Sequence, residues 1–543
     1  MFIIARVVVV ALTSDVNAHH DRASCTARSR EFDPQLSVEP LPSGQAQLVL
    51  ATVYSTPSEP TTMTDKQADS DSPATSKGSL AERASMPLHF DVLISIMVHI
   101  DKRADLLSFI STSSELYASG LPCLLRFPCQ ISHDSLRPFH QFLTSKSPWT
   151  FLALRDLQFS FREVKELADG ELELVADILR KAQHLRSLRL QTELLRRFIA
   201  IAQAVASFAA LHTLLFDGSI NERTSLTLPQ LRSPLKRVEI ELGDFRRESS
   251  LTMLENLRDT LESATIRRAA FSPTNLCYTK LTTLKISMCS RLRLSILVPA
   301  FPNLRTLVLG PPDLWTHLRP TLEELRAENV RYQKQHQGAM WRLSELTAEA
   351  TALNMLALQT YVPSLIVTDF SAGRCAWLQS TLAAMQLKQL KITAAYDPWG
   401  DFKGLSAILS KGTEGLRQLD IELNFPFHDA IRGEIFDILL RELNALREHT
   451  PRLAKLGLRL LFDVFIYDEE DVRVADIVCD SSAWHELALD FVKALPSVEM
   501  LDLRASTTKE RQWCWQVGDG GSLTEISSDR YNVLMMEFEK SLR

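Results

Sequence analysis

Residues 185–190 read LRSLRL, and the recurrence of this six-residue pattern decides the fold of the chain. Apolar residues stand at its first, fourth and sixth positions, with polar residues among them. Alternation of this kind predicts a short strand with one buried face. Clear copies start at Leu211, Leu235, Leu281, Leu304, Leu387, Leu416, Leu453 and Val498, and weaker copies start at Leu154, Leu261, Leu322, Leu343 and Leu365.

The spacing of the copies predicts how they assemble. From Leu185 to Leu416 successive copies start 18 to 29 residues apart, and beyond Leu416 the spacing widens to 37 and 45 residues. The intervening segments carry apolar residues at helical spacing, such as Leu194, Leu195 and Phe198. A strand and a helix repeated at this period are typical of a leucine-rich-repeat solenoid. The sequence therefore predicts an irregular α/β repeat over residues 150–510.

The polar residue between the last two apolar residues of each copy should point away from the core, onto the concave side of the solenoid. We expect these positions to contact a protein substrate, although a solvated face is the simpler alternative for any one of them. The candidates are Arg189, Glu239, Lys285, Lys391, Asp420 and Asp502.

A second pattern, in residues 86–128, predicts a small all-α unit. Its three apolar clusters hold Val92, Leu93, Ile96, Met97 and Ile100, then Leu106, Leu107, Phe109 and Ile110, then Leu116 and Tyr117. Gly120 is expected to end the third helix, and residues 122–127 to form a further short one. So small a unit is only marginally stable alone, and we expect it to dock on another protein.

This unit resembles an F-box. Met86-Pro87 stands at the family's Leu-Pro opening, Val92-Leu93 with Ile96 matches its first helix, and Asp105-Leu106-Leu107 matches its Asp-Leu step. The third helix, with Leu116-Tyr117, lacks the tryptophan that many members carry.

F-box proteins with leucine-rich repeats are substrate receptors of SCF-type cullin–RING ubiquitin ligases, in which the box binds a Skp-type adaptor and the repeats hold the substrate. The resemblance implies that Pro87, Val92, Leu93, Ile96 and Leu107 contact the adaptor. The alternative is that the same residues form the core of a helical cap on the repeats.

The rest of the chain offers little chemistry. Residues 1–85 are predicted to be a disordered leader, with a secretory signal ending near Ala18 as the alternative. The net charge is only −6, so we expect no nucleic-acid partner. No apolar run is long enough to cross a bilayer, so we expect no membrane partner. The eight cysteines have no zinc-type spacing, so reduced thiols in the cytoplasm or nucleus are expected.

Catalytic motifs are also missing from the sequence: it has no nucleophile elbow, phosphate loop or HExxH metal motif. His19-His20 and the acidic run at 468–471 are expected to be solvated. Trp513-Cys514-Trp515 is expected to cover the last repeat, within a cap at residues 511–543.

The sequence therefore predicts a ligase substrate receptor with no enzyme activity, metal or cofactor. A leucine-rich-repeat scaffold without a ligase role is the alternative, and an enzyme with a site assembled from distant residues is a third.

Overall fold

A computed structural model describes most of the chain after residue 88. The described residues are 89–146, 149–220, 222–243, 250–269, 271–289, 291–312, 319–370, 374–395, 405–410, 412–425, 434–462, 481–506 and 510–542. Outside them lie the predicted leader, Met86, Pro87, the His19-His20 pair and the acidic run 468–471. The chain divides into two units between Ile100 and Asp101.

The first unit holds one described helix, α1 (Phe90–Val98), and the second unit holds the other elements. Its helices are α2 Arg103–Ile110, α3 Ser114–Leu124, α4 His133–Lys146, α5 Trp149–Ala153, α6 Asp169–Lys181, α7 Thr192–Arg197, α8 Ile199–Ser207, α9 Glu222–Thr227, α10 Ser250–Met253, α11 Leu294–Ala300, α12 Arg319–Gln335, α13 Ala350–Leu356, α14 Cys375–Leu382, α15 Leu405–Ile408, α16 Glu434–Leu446, α17 Ser481–Ala494 and α18 Ser528–Leu542. The division falls inside the predicted box 86–128, between α1 and α2.

The second unit is an α/β fold built on a 16-stranded sheet, which confirms the predicted fold class at that level. Its strands are β1 Cys129–Ile131, β2 Asp156–Phe159, β3 Ser187–Gln191, β4 Thr213–Ile220, β5 Arg237–Leu242, β6 Ser263–Arg267, β7 Thr283–Ser287, β8 Thr306–Leu309, β9 Glu345–Glu349, β10 Ser364–Phe370, β11 Gln389–Ala395, β12 Gln418–Phe425, β13 Lys455–Phe462, β14 Met500–Ser506, β15 Glu510–Val517 and β16 Leu523–Ile526. They pair in sequence order. From β1 to β14 every pairing is parallel, and β15 and β16 then add antiparallel strands.

Alternation within each strand separates two faces of the sheet. In β3 the side chains of Leu188 and Leu190 are fully buried, whereas Ser187 and Arg189 on the other face are half-buried. Burying a leucine side chain contributes about 1.5–3 kcal/mol, so the apolar face, repeated strand after strand, supplies the core. Most connections between parallel strands contain a helix, and helices of successive repeats pack on each other, as α13 does on α14.

The six-residue pattern located most strands correctly. A strand begins two residues after the first apolar residue of every clear copy, for example at Ser187 after Leu185. The same offset holds for the weak copies at Leu154, Leu261 and Leu343. The copy at Leu365 is out of register, because β10 begins at Ser364 and its equivalent position is Val362.

The copy at Leu322 was wrong, because this segment belongs to α12. Leucines three residues apart fit a helix as well as the start of a repeat, and the sixth position here is Ala327. The fully buried Asn329 fixes the helix to its neighbours. Its side chain donates to the carbonyls of Leu292 and Met355, each at 2.9 Å, and accepts from the Leu294 N–H at 2.8 Å.

Two predictions before the repeats also need correction. Helix α3 continues through Gly120 to Leu124 and contains Pro122, so no separate helix begins there. The following residues form β1, which the sequence pattern missed because this strand has only three residues. The sheet therefore starts at Cys129 rather than near residue 150, and it extends beyond 510 through β15 and β16.

Candidate functional site

The six predicted substrate positions lie in one row across the sheet. Strand register aligns them in the order Arg189, Leu215, Glu239, Thr265, Lys285, Val308, Thr347, Ile366, Lys391, Asp420, Gly457 and Asp502. We call this the middle row, and the sheet face that carries it the polar face. Its members alternate with the buried leucines, which is why one hexapeptide position was enough to find them.

Charged side chains on β3 to β6 of the polar face mostly neutralise one another. The Arg189 guanidinium donates to both carboxylate oxygens of Asp217 at 2.8 to 3.0 Å. Arg267 pairs with Glu239 at 2.9 Å, and Arg268 lies 3.6 Å from Glu241. These pairs are partly exposed, so each contributes at most about 1 kcal/mol to stability.

The partners of Arg189 and Glu239 were missed by the sequence analysis. Asp217 and Arg267 stand two residues beyond the middle row on their own strands. The period-two alternation continues past the hexapeptide, and this signal could have found them. In β4 the alternation is broken by a bulge between Leu215 and Ser219, where Gly218 has a φ of 92°.

Lys285 is an exposed cation at the centre of the polar face. Among the described residues its ammonium has no ion-pair partner within 4 Å, and its row neighbours Thr265 and Val308 are uncharged. An exposed lysine between neutral neighbours can take a carboxylate from a protein partner without giving up an existing pair. Of the six predicted positions it is the one most accessible to such a partner.

Lys391 and Asp420 lie next to each other in the row but pair with other residues. The Lys391 ammonium lies 2.9 Å from Glu422, and Asp420 accepts from Gln418 at 2.5 Å and lies 3.3 Å from the Lys455 ammonium. Lys455 is buried, although it belongs to the polar face. Its burial marks the point at which another element covers the sheet.

Asp502 is buried, so the expectation that it meets a partner needs correction. Its carboxylate accepts from Arg504 at 2.8 Å and from the Gln512 side chain at 3.1 Å. Tyr531 of α18 lies close by, and its burial together with the nearby carboxylates of Asp502 and Asp420 raises the pKa of its phenol. Asp502 therefore serves the packing of the C-terminal elements.

The two tryptophans of β15 lie on the apolar side and Cys514 on the polar side. The Trp513 ring stacks on Trp484 of α17, with ring centroids 4.9 Å apart, and Trp515 is fully buried near His485. Both indoles cover the core at the end of the parallel sheet, which is the place the sequence predicted for them.

Two of the buried thiols are poor nucleophiles. None of the described cysteines takes part in a disulfide; they are Cys123, Cys129, Cys277, Cys289, Cys375 and Cys514. Burial raises the pKa of Cys129 and of Cys514 to about 12, and Asp502 adds to the effect at Cys514. Both thiols therefore stay protonated at neutral pH, in the unreactive form.

A small charged cluster lies where β9 and β10 end. Arg374 lies 3.5 Å from Glu349 and 3.3 Å from Asp369, which adopts a φ of 53°. Burial and the nearby Asp369 carboxylate raise the pKa of Glu349 to about 7, against the opposing effect of Arg374. The pKa of Glu349 therefore lies in the neutral range.

Two surface grooves lie at loops near the starts of strands. One of about 740 Å³ is lined by Lys280, Arg305, Arg342 and Glu262, and another of about 980 Å³ adjoins residues 517–521. The first carries an excess of positive charge, which suits an acidic side chain of a partner. Within the described part of the chain, no three His, Cys, Asp or Glu side chains come together to hold a metal ion.

The predicted adaptor positions are on the first two helices. Val92 and Ile96 on α1 are exposed and Leu93 is half-buried, whereas Leu107 on α2 is half-buried. Pro87 lies outside the described residues. Across the ranges that the structure covers, no helix is both long and apolar enough to cross a membrane.

No protein-family model matches the chain, and no curated protein matches it significantly.

Proposed function

We propose that the chain is the substrate-recognition subunit of an SCF-type cullin–RING ubiquitin ligase, with its sheet and helices arranged as a leucine-rich-repeat solenoid. One strand per unit, strictly sequential pairing and helices in the returns support the solenoid. The observation that carries the proposal is the middle row. It offers a protein substrate a strip of mostly polar side chains, about 4.8 Å apart from strand to strand, on the proposed concave face. Leu215, Val308, Ile366 and Gly457 interrupt the strip.

The role proposed for α1 is docking on a Skp-type adaptor. Its exposed Val92 and Ile96 are apolar side chains one helical turn apart, which suits insertion of a helix into an apolar groove. The F-box resemblance supplies the identity of that partner. In this role the chain adds no catalysis, because it raises the concentration of the substrate beside the ligase. It would act in the cytoplasm or nucleus, where its described cysteines, none of them in a disulfide, stay reduced.

The proposal is tested by pulling down purified Skp-type adaptor with the full chain and with its Leu93→Asp variant. A buried carboxylate at a helix-in-groove contact costs several kcal/mol, so Leu93→Asp is expected to lose at least nine-tenths of the bound adaptor. The matched control is Ser95→Asp, which adds the same charge to an exposed polar position of α1 and should bind like the natural chain.

Failure of the intact, folded chain to bind the adaptor would overturn the ligase role. The second candidate is then a leucine-rich-repeat scaffold. Charged side chains on β3 to β6 already pair with one another. A face of this kind binds partners by shape as well as by charge, and this favours the scaffold. If the chain is a scaffold, Leu93→Asp should leave the binding of its partners unchanged.

A further inference from the structure

The C-terminal helix α18 is a regular amphipathic helix with a single apolar stripe. Tyr531, Leu534, Met535, Phe538 and Leu542 are spaced by three or four residues, which puts them on one side of the helix. Tyr531, Met535 and Leu542 are buried and the other two are half-buried. Val533 and Met536 on the other side are exposed.

This stripe packs on the polar face of the sheet. Tyr531 and Met535 join a cluster with Met500 of β14, Cys514 of β15 and Ile526 of β16. Met500 and Cys514 lie on the polar face, since Met500 shares its row with Lys455, and Cys514 pairs with Asp502. Methionine and cysteine make a soft apolar floor that adapts to the ring and side chains above it.

Two lysines fix the ends of the helix. The Lys455 ammonium lies 5.8 Å from the centre of the Tyr531 ring, in cation–π geometry. At the other end Lys388, just before β11, donates to the carbonyl oxygen of Leu542. A cation at a helix carboxyl end also interacts favourably with the helix dipole.

The dimensions agree with a helix that crosses the strands. Eleven residues separate Tyr531 from Leu542, which is about 16 Å of helix. Three strand spacings from β14 to β11 amount to about 14 Å. The polar face under α18 is therefore a shallow site matched to one amphipathic helix, with an apolar floor and a cation at each end.

We infer that this end of the polar face is a helix-binding surface for a protein partner, and that α18 is its resident occupant. The partner helix it fits carries an aromatic residue followed by apolar residues three, four and seven positions later, as in Tyr531, Leu534, Met535 and Phe538. Such a helix and α18 cannot occupy this surface at the same time. The inference rests on the proposed function in one respect, namely that partners enter through the polar face.

The test uses a fluorescently labelled peptide of residues 528–542 and the full chain. Met535→Asp puts a charge into the apolar cluster and should release α18, which hydrogen exchange at 528–542 would report. The peptide is then expected to bind this variant at least ten-fold more tightly than it binds the natural chain. Met536→Asp is the matched control: it adds the same charge one residue away on the exposed side and should leave both exchange and peptide binding unchanged.

Several outcomes would overturn the inference. They are fast exchange of 528–542 in Met535→Asp with no peptide binding, no change in exchange, or equal effects of Met535→Asp and Met536→Asp. If Met535→Asp loses its cooperative unfolding transition, Phe538→Ala is used in its place, because the Phe538 side chain is only half-buried. Phe538→Ala is expected to raise hydrogen exchange and peptide binding in the same direction but by less. The absence of both changes counts against the inference. No adaptor is present in this assay, so its failure and that of the adaptor pull-down are separate results.

Discussion

The two ends of the polar face share one strand pattern but are used differently. On β3 to β8, which we call the uncovered part, middle-row side chains are half-buried or exposed and the charged ones mostly pair across strands. On β13 to β15, the covered part, Lys455, Gly457, Met500 and Asp502 are buried beneath the C-terminal elements. A repeated strand thus fixes which side chains face outward, and a later segment of the chain decides which of them stay accessible.

The largest losses of stability should come from truncating core leucines, and they should be equal in the two parts because both bury their leucines in the same core. Leu188→Ala in β3 and Leu501→Ala in β14 each remove a fully buried side chain from the apolar face. Each is expected to lower the free energy of unfolding by about 2–5 kcal/mol. Chemical denaturation of both variants measures this, and a much smaller loss at Leu501 would mean that the covered end is loosely packed.

A smaller effect should separate the two parts, at matched arginine–aspartate pairs. Asp502→Ala removes a buried carboxylate that holds Arg504 and Gln512, and should cost about 2–3 kcal/mol. Asp217→Ala frees the partly exposed Arg189, which water can solvate, and should cost less than about 1 kcal/mol. Equal losses in urea denaturation would contradict the distinction between covered and uncovered ends.

Glu349, between the two parts, should make the stability of the chain depend on pH around neutrality. Its pKa is raised from 4.5 to about 7, so folding favours the protonated carboxyl, and stability is lost as the pH rises from about 4.5 through 7. Glu349→Gln should therefore be about 1–2 kcal/mol more stable than the natural chain at pH 8, a figure reduced for partial solvent screening. At about pH 4, where the carboxyl is mostly protonated in both the folded and the unfolded chain, the two should melt alike. A difference that is the same at both pH values would show that folding leaves the pKa of Glu349 unchanged.

The smallest effect is expected inside the covered part. The Tyr531 hydroxyl is buried and makes no well-formed hydrogen bond within the described residues, although the Asp502 carboxylate lies near it. Tyr531→Phe keeps the ring over the apolar floor and removes only this hydroxyl, so the change in unfolding free energy should stay within about 0.5 kcal/mol. A loss above about 1 kcal/mol in thermal unfolding would instead indicate a real hydrogen bond from Tyr531 to Asp502.

Part of the covered end could have been recognised from the sequence. The first residue of a strand on the polar face is Ser187 in β3, Thr213 in β4 and Arg237 in β5. In β14 the same position holds Met500. An apolar side chain at a position that is otherwise polar indicates a covering element. The stripe from Tyr531 to Leu542 is an equally clear signal, because it has helical spacing and no repeat around it.

Sequence periodicity by itself determined most of the strands from β2 to β14, the buried leucines in them and the alignment of the six middle-row residues. These follow from alternation within a strand and from the offset between pattern and strand, both of which are local. It misassigned Leu322 because a leucine pair three residues apart satisfies helix and repeat alike.

Only the tertiary structure decided which charges are paired, that Asp502 is buried, and that α18 returns to the polar face. Asp217 and Arg189 are 28 residues apart, and Lys388 and Leu542 are 154 residues apart, so their contacts depend on how the chain between them folds. Local pattern sets the face of each side chain, whereas burial and pairing are set by what long-range folding brings against that face.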